Sequence, residues 1–216
     1  MRVRRVEWRL LATFLAACAV PVPVFGAASE YPAKPVRLVV PFAPGGTTDI
    51  VARVVAQKLA EIWKKQVVID NRGGAGGSIG TELVAKAPAD GYTLLFGLQT
   101  THAINPAVYR DLPFDPIKDF TPVTRVAFSP QLLAVYPGVP ATTLKEFVAL
   151  AKASPGKYSY GSSGTGTSQH LAFELFKRAA GIDLAHIPYK GMGPAITELV
   201  GGHVQAAIGG LVALLP

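Results

Sequence analysis

Short apolar runs rich in β-branched residues alternate along this chain with segments of helical periodicity, and this alternation limits the possible folds more than any other feature. Residues 36–42 form a continuous apolar run typical of a buried strand. Residues 66–70 predict a second strand, residues 81–87 a short helix, and the run after Gly91 a third strand. Between the first two strands, residues at helical spacing predict the buried face of a helix: Ile50, Val51, Val54, Val55, Leu59, Ile62 and Trp63. This βαβαβ order predicts an α/β fold with a mostly parallel sheet.

A second unit of the same kind follows residue 130. Residues 131–136 predict a strand, and Thr143-Leu-Lys-Glu146 has the spacing of a helix capping box, in which each side chain bonds the backbone of the other residue. Further strands are predicted at residues 158–161, at residues 185–188 and from Val204. Residues 103–130 are rich in proline and lack periodicity, so we predict an irregular connection between the two units.

The N-terminus has the parts of an export signal. The stretch MRVRRVEWR is basic, residues 10–29 carry no charge, and VFGAAS supplies small residues at Val24 and Gly26 that suit a signal peptidase. We therefore predict that residues 1–26 are a signal peptide and that the mature protein is periplasmic. Two alternatives stay open. One is a membrane anchor, which the prolines of the run disfavour, and the other is a lipoprotein anchored through Cys18 of the LAAC motif.

Composition argues against several function classes. Cys18 is the only cysteine, so the mature chain has no disulfide, no thiolate metal site and no cysteine nucleophile. His102, His186 and His203 are scattered without the spacing of metal ligands, so we predict no metal and assign these residues structural roles. Loss of residues 1–26 removes four Arg and one Glu, which lowers the net charge from +7 to +4. Basic residues are not interleaved with aromatic ones, so nucleic acid is not a predicted partner.

A pattern of strand, glycine-rich hydroxyl loop and helix occurs twice, first at PFAPGGTTD and then at GSSGTGTS. At the start of a helix, backbone N–H groups lack internal partners and the helix dipole adds positive potential, which together favour an anion. Neither loop carries the lysine of a phosphate-binding P-loop or the G-x-S-x-G of a nucleophile elbow. The loops therefore predict a site for a small carboxylate held between two α/β units.

Residues beside these loops have competing interpretations. Asp49 is expected to bond the backbone of the first loop from the first helical turn, as structural support, rather than to face the anion. His170 is open to two interpretations, contact with a carboxylate or a bond to nearby backbone. A hydrolase in which Ser163 acts with His170 is a separate function class, although no orienting acid is visible. Lys190 is expected to be solvated.

Several blocks of the sequence resemble one known family. The stretches YPAKPVRLVVPFAPGGTTD, VIDNRGGAGGSIGTELVAKAPADGYTLLFG and GKYSYGSSGTGTSQHLAFELFKRAAG are similar to the Bug-type solute-binding proteins of tripartite tricarboxylate transporters. The similarity runs over residues 31–216. It implies a type II periplasmic binding-protein fold with two α/β lobes, here residues 30–126 and residues 127–216, and a ligand cleft between them.

The resemblance also implies a function and a set of site residues. It implies that the chain captures a small organic acid outside the cytoplasm and delivers it to the membrane permease subunits of its transporter, without catalysis and without a cofactor. The alternative is a ligand-presenting subunit for a membrane sensor. Thr100, after the third strand, and His170 are further candidates for ligand contact. The residues implied to bind the ligand are Phe42, Ala43, Pro44, Gly45, Gly46 and Thr47 from the first loop, and Ser162, Ser163, Gly164, Thr165, Gly166, Thr167 and Ser168 from the second.

The sequence ends in the apolar run VQAAIGGLVALLP, whereas the resemblance implies a further segment that crosses back to the first lobe. We therefore expect the first lobe to be incomplete in this chain, with exposed apolar surface and an unpaired strand edge. A truncated, non-functional member of the family is a further alternative.

Overall fold

The apolar run that begins at Val36 forms the central strand of a parallel sheet. The computed structural model describes residues 30–215, so the predicted signal peptide and Cys18 lie outside the described residues. Strand β1 (Val36–Val40) pairs in parallel with β2 (Val67–Asn71) on one side and with β3 (Thr93–Leu95) on the other. The strand order is β2-β1-β3, and the predicted parallel βαβαβ unit is confirmed.

Helix α1 (Thr47–Trp63) connects β1 to β2 and covers one face of this sheet. Ala52 and Ala56 make its buried contact with the apolar side chains of the strands. The predicted buried face is wrong for Val54 and Ile62, which are 59% and 71% exposed. Alanine lets the helix backbone approach the strands closely, so the small residues face the sheet and the larger apolar residues lie to the side.

The loops at the carboxyl ends of β1 and β2 differ from their predicted boundaries. Strand β1 ends at Val40 instead of Phe42, because Pro41 has no N–H to donate to the strand ladder. Helix α2 (Ser78–Ala85) begins three residues before the predicted start and directly follows a 3-10 turn at Ala75–Gly77. Both loops therefore enter their helices through glycine-rich backbone at the same edge of the sheet.

The second sheet is mixed and has the strand order β4-β7-β5-β6. Strands β5 (Ser159–Ser162), β6 (Ala185–Pro188) and β7 (Ala206–Gly210) run parallel to one another, whereas β4 (Gln131–Val135) runs antiparallel to β7. Hydrophobic periodicity locates strands but does not fix their direction, so the antiparallel strand is not predicted from the sequence.

Three helices belong to the second sheet: α4 (Leu144–Ala153), α5 (Ser168–Ala180) and α6 (Met192–Val200). The predicted capping box of α4 is confirmed, since Glu146 N donates to Thr143 Oγ1 at 3.2 Å and Thr143 N donates to the Glu146 carboxylate at 3.1 Å. A short helix, α7 (Leu211–Leu214), follows β7.

The connection between the sheets contains little regular structure, as predicted. It begins with a π-helical turn at Thr100–Ile104 and helix α3 (Asn105–Val108), and the chain then stays irregular up to β4. Several apolar side chains in this connection are strongly exposed, among them Val123 at 84% and Phe128 at 87%, whereas Phe114 is buried. Within residues 30–215, no helix combines the length and apolar character needed to cross a membrane.

Candidate functional site

Loop one (residues 41–46) lies between β1 and α1 and is held by a buried carboxylate. Asp49 Oδ2 accepts hydrogen bonds from the N–H of Gly45 at 3.1 Å and from Arg53 Nε at 2.9 Å. Asn71 Nδ2 donates to Asp49 Oδ1 at 2.9 Å and also to the carbonyl of Phe42 at 3.0 Å. These contacts place Asp49 against the backbone of loop one, on the side of helix α1.

The ionisation of Asp49 follows from the same contacts. Burial alone would raise the pKa of this carboxyl, but hydrogen bonds from Arg53, Asn71 and Gly45 stabilise the charged form and bring the pKa below its ordinary value. Asp49 is 4% exposed, so an ionised carboxylate is kept next to loop one at neutral pH. Its negative charge is matched by Arg53 rather than left free to repel an anion.

Loop one packs against the backbone of the second lobe at the start of helix α6. Ala43 N donates to the carbonyl of Lys190 at 2.9 Å, and Thr47 Oγ1 donates to the carbonyl of Gly210 at 3.2 Å. A Cβ atom built on Gly193 would lie 1.8 Å from the carbonyl oxygen of Pro44, so only glycine permits this approach. In this conformation, loop one is therefore in contact with protein backbone from the other lobe.

Loop two (residues 162–167) uses its own hydroxyl groups to fix its shape. Ser162 Oγ accepts from the N–H of Gly164 at 3.1 Å, and Thr167 Oγ1 donates to the carbonyl of Gly164 at 2.7 Å. Ser163 Oγ donates to Gln169 Oε1 at 2.7 Å. All three hydroxyl residues are buried, whereas Thr165 is exposed at the tip of the loop.

The two remaining polar candidates connect loop two to other elements. Thr100 is buried, and its Oγ1 accepts from the N–H of Ser168 at 3.4 Å, which joins the π-helical turn to the start of α5. His170 Nδ1 accepts from the N–H of Gly166 at 3.1 Å, which is the bond to nearby backbone that one of its two interpretations predicted. The hydrolase alternative loses its geometric basis, because Ser163 is bonded to Gln169 and not to His170.

A cavity of about 250 Å³ lies where the glycine turn after β2 faces loop two and the end of β6. Tyr109 Oη donates to the carbonyl of Thr165 at 3.1 Å across this cavity wall. Among the residues that the structure describes, the N–H groups of Gly76 and Thr165 have no hydrogen-bond acceptor. The cavity is lined by Gly74, Ala75, Gly76, Tyr109, Gly164, Thr165, Pro188, Tyr189 and Lys190.

Asn105 supports the glycine turn from behind. Its Nδ2 donates to the carbonyl of Gly76 and to Ser78 Oγ, each at 3.0 Å. A Cβ atom built on Gly76, whose φ is +60°, would lie 3.1–3.3 Å from Tyr109 Oη, Asn105 Oδ1 and the carbonyl oxygen of Thr165. Any side chain at position 76 would therefore crowd the oxygens that border the cavity.

A larger hollow of about 430 Å³ lies along β1 and β2 and includes Arg37, Asp70 and Arg72. Both guanidinium groups are already paired with the Asp70 carboxylate. The hollow is bordered by one lobe only and contains neither glycine-rich loop. We therefore take the smaller cavity, which both lobes line, as the candidate site.

The structure brings together only part of the predicted set of site residues. Gly164 and Thr165 line the cavity, whereas residues 42–47 of the first lobe do not. The predicted set does not include Gly74–Gly76 and Tyr109, which line the cavity. Lys190, predicted to be solvated, is exposed at the rim of the cavity. The signal for the glycine turn is the run NRGGAGGSIG at the carboxyl end of a parallel strand, which is where ligands bind in α/β folds. Ligand contact by each of these residues stays a prediction.

No metal centre accompanies the cavity. Within residues 30–215, His, Cys, Asp and Glu side chains do not gather into a group of three that could hold an ion. The exposed Lys190 is the charged residue of the lining, and its charge suits an anion.

Comparison with known proteins identifies the family. The model of the family described as "Tripartite tricarboxylate transporter family receptor" matches residues 51–216. The chain belongs to this family. The description of the family as a receptor agrees with the prediction that the chain is not an enzyme.

One relative and two solved structures illustrate the likeness. BugT of Bordetella pertussis is 40% identical over 211 residues, which are 96% of this chain and 64% of BugT. The structure of R. palustris Rpa4515 with adipate is 43% identical with a TM-score of 0.83, over 87% of this chain and 62% of that one. MatC (Rpa3494) from Rhodopseudomonas palustris with bound malate is 34% identical with a TM-score of 0.78, over 85% and 62% of the two chains. The predicted fold class is confirmed by this likeness, and the chain spans less than two thirds of the length of each of these proteins.

We predict that Asp49→Ala lowers the free energy of unfolding at pH 7 by about 2 kcal/mol, because the N–H of Gly45 and the amide of Asn71 lose a buried acceptor. The folded state depresses the pKa of Asp49, so its contribution is present above the ordinary value of 3.8 and is lost as the pH falls through the lower folded value. Urea unfolding at several pH values measures both effects. Asp111→Ala, which changes an exposed aspartate, is the control. Equal losses in the two variants would contradict a supporting role for Asp49.

We predict that Gly193→Ala destabilises the protein by about 1–3 kcal/mol, because the new methyl group would overlap the carbonyl of Pro44. Gly201→Ala at the other end of α6 is the matched control, since its Cβ would meet nothing closer than 3.4 Å. Alanine favours a helix by about 1 kcal/mol relative to glycine. A loss of stability in Gly193→Ala but not in Gly201→Ala would therefore be due to overlap of the new methyl group with the carbonyl of Pro44. Thermal unfolding measures the difference, and equal melting temperatures would show that the two lobes do not meet at Gly193.

Proposed function

We propose that this chain is the ligand-capturing part of an extracytoplasmic receptor. It binds a small dicarboxylate in the cavity between the 74–76 turn and loop two, and it presents this ligand to the membrane permease subunits of a tripartite tricarboxylate transporter. The family assignment supports the receptor role, and the description of the family as part of a transporter supports a membrane permease as the partner. The predicted signal peptide supports a periplasmic location, with attachment through Cys18 as the alternative.

The observation that carries the proposal is the pair of unbonded main-chain N–H groups at Gly76 and Thr165, one from each side of the cavity. A carboxylate accepts several hydrogen bonds in one plane, and backbone N–H groups satisfy it without a basic side chain. Lys190 adds a positive charge at the rim of the same cavity. Binding would also give each N–H the acceptor that it lacks among the described residues.

The size of the cavity and the ligands of two neighbours support a small aliphatic dicarboxylate. A volume of about 250 Å³ lies below the roughly 300–1,000 Å³ of pockets for drug-sized ligands. Rpa4515 was solved with adipate and MatC with malate, both of which are short dicarboxylates. We therefore propose that one carboxylate meets the 74–76 turn and loop two, and that the second extends toward Lys190.

Loop one has a different place in this proposal. Its backbone meets residues 190–193 through the bond from Ala43 N, and residues 42–47 do not line the cavity, so we place the ligand against the 74–76 turn and loop two. In the conformation described, loop one holds Lys190 at the rim of the cavity through the bond from Ala43 N.

We predict that adipate or malate raises the melting temperature of the 216-residue chain. A ligand present at a hundred times its Kd adds about 2.7 kcal/mol to the stability of the native state. Adipamide, which has the length of adipate but no charge, and inorganic phosphate are the control ligands. Stabilisation by neither dicarboxylate, or equal stabilisation by phosphate, would contradict the proposed ligand class.

The matched variants are Gly76→Ala and Gly156→Ala. Both positions have positive φ, +60° and +71°, so both variants carry a backbone cost. Only the methyl group at position 76 enters the cavity wall, whereas a Cβ on Gly156 would meet nothing closer than 3.8 Å. We expect the dicarboxylate-induced shift to be lost in Gly76→Ala and kept in Gly156→Ala.

A further inference from the structure

Four aromatic rings form a continuous stack directly behind loop two. Phe173 of α5 lies on Tyr160 of β5 with ring centroids 3.8 Å apart, and Tyr160 lies against His186 of β6 at 4.8 Å. His186 is stacked in turn on His170 of α5 at 4.0 Å. The stack begins in the buried core of the second lobe and ends in two imidazoles that contact loop two.

Both imidazoles are bonded to loop two, on either side of Thr165. His170 Nδ1 accepts from the N–H of Gly166 at 3.1 Å. His186 Nε2 lies 2.7 Å from Ser162 Oγ, which itself accepts from the N–H of Gly164 at 3.1 Å. The conformation of the Gly164–Gly166 backbone, and hence the direction of the Thr165 N–H, therefore depends on these two rings.

The hydrogen bond to His170 requires a neutral ring. An imidazolium carries a proton on both nitrogens, so a protonated His170 would present an N–H to the N–H of Gly166 and the bond would be replaced by repulsion. Protonation of both rings is also unfavourable, because two positive charges would then lie in rings whose centroids are 4.0 Å apart.

The charged groups that face the two rings are Glu174 and Lys177 of α5, and Tyr160 of β5 presents its hydroxyl to the same carboxylate. Glu174 Oε1 accepts from Tyr160 Oη at 2.7 Å and from Lys177 Nζ at 2.9 Å, so this carboxylate already has two donors. Burial lowers the pKa of His170, with Glu174 opposing and Lys177 assisting. Burial and then His170 lower the pKa of His186 to about 4. Both rings are therefore neutral at pH 7.

We propose that His170 and His186 are positioning residues that keep loop two in its ligand-binding shape only while both rings are neutral, so that protonation of the pair weakens ligand binding. This proposal builds on the proposed function, since it concerns the same cavity. It assigns to the receptor a proton-sensitive affinity, with capture of the dicarboxylate near neutral pH and release as the surroundings become acidic.

The direction of the pH dependence follows from the lowered pKa values of His170 and His186. A histidine whose pKa is lowered in the folded state contributes stability that is present above its ordinary value of 6.5 and is lost as the pH falls toward about 4 for His186. Affinity depends on protonation of the folded, ligand-free protein, so its loss is expected as the pH falls through the lowered pKa values, below 6.5 for His170 and at about 4 for His186. Dicarboxylates also take up protons near the acidic end of this range, so the test compares variants at the same pH instead of relying on one curve.

The test is isothermal titration of the 216-residue chain with adipate and with malate at pH 7.5, 5.5 and 4.5. Below the midpoint of the pair, one linked proton weakens binding by about tenfold per pH unit. His170→Gln retains an acceptor for Gly166 without titrating, so the variant should show a flatter pH profile, and His170→Gln/His186→Gln should be flatter still. His203→Gln is the control, because His203 is exposed and bonded to Glu198. Its profile should follow that of the unchanged chain.

A profile in His170→Gln as steep as that of the unchanged chain would overturn the proposal. If neither dicarboxylate binds at pH 7.5, the proposed function fails for these ligands, and the positioning role is then decided by the ¹⁵N chemical shift of the Gly166 amide. That shift should titrate with His170 in the unchanged chain and stay constant in His170→Gln. A Gly166 amide that does not respond to pH in the unchanged chain would overturn the positioning role as well.

Discussion

The close approach of two backbones, loop one of the first lobe and residues 190–193 of the second, is the contact on which the rest of the site depends. The hydrogen bond from Ala43 N to the carbonyl of Lys190 is 2.9 Å long, and the space beside it is available because Gly193 has no Cβ. This contact holds the start of α6 against the first sheet. Through it, the 74–76 turn comes to face loop two, and the cavity acquires a wall from each lobe.

The chemistry that the two glycine-rich loops offer to a ligand follows from the hydrogen bonds that their side chains already make within the protein. Ser162, Ser163 and Thr167 are buried and bonded within the second lobe, and Asp49 is bonded to loop one, so these polar groups shape backbone. What is left for an anion is main-chain N–H, which is a weak but geometrically defined donor. A protein built in this way can select a carboxylate by the placement of backbone and needs no buried cation, whose desolvation would be costly.

Sequence patterns predicted the positions of the strands and helices well, whereas the shape of the cavity depends on contacts between distant segments. Strands and the capping box of α4 depend on neighbouring residues, so β-branched runs and the Thr143–Glu146 spacing locate them. The exposure of Val54 and Ile62 was not predictable, because burial depends on which side of the helix meets the sheet. The sequence predicts a ligand between loop one and loop two, and this stays a prediction. The cavity that both lobes line includes loop two and the 74–76 turn but not loop one, since loop one packs against residues 190–193, about 150 residues away in sequence, and loop composition does not encode that contact.

The most direct measurement is a crystal structure of the 216-residue chain grown with adipate. We predict one carboxylate of adipate within hydrogen-bonding distance, about 2.7–3.2 Å, of the N–H groups of both Gly76 and Thr165. Adipate bound elsewhere, for example at Arg37 and Arg72 on the edge of the first sheet, with both N–H groups still unbonded, would contradict it.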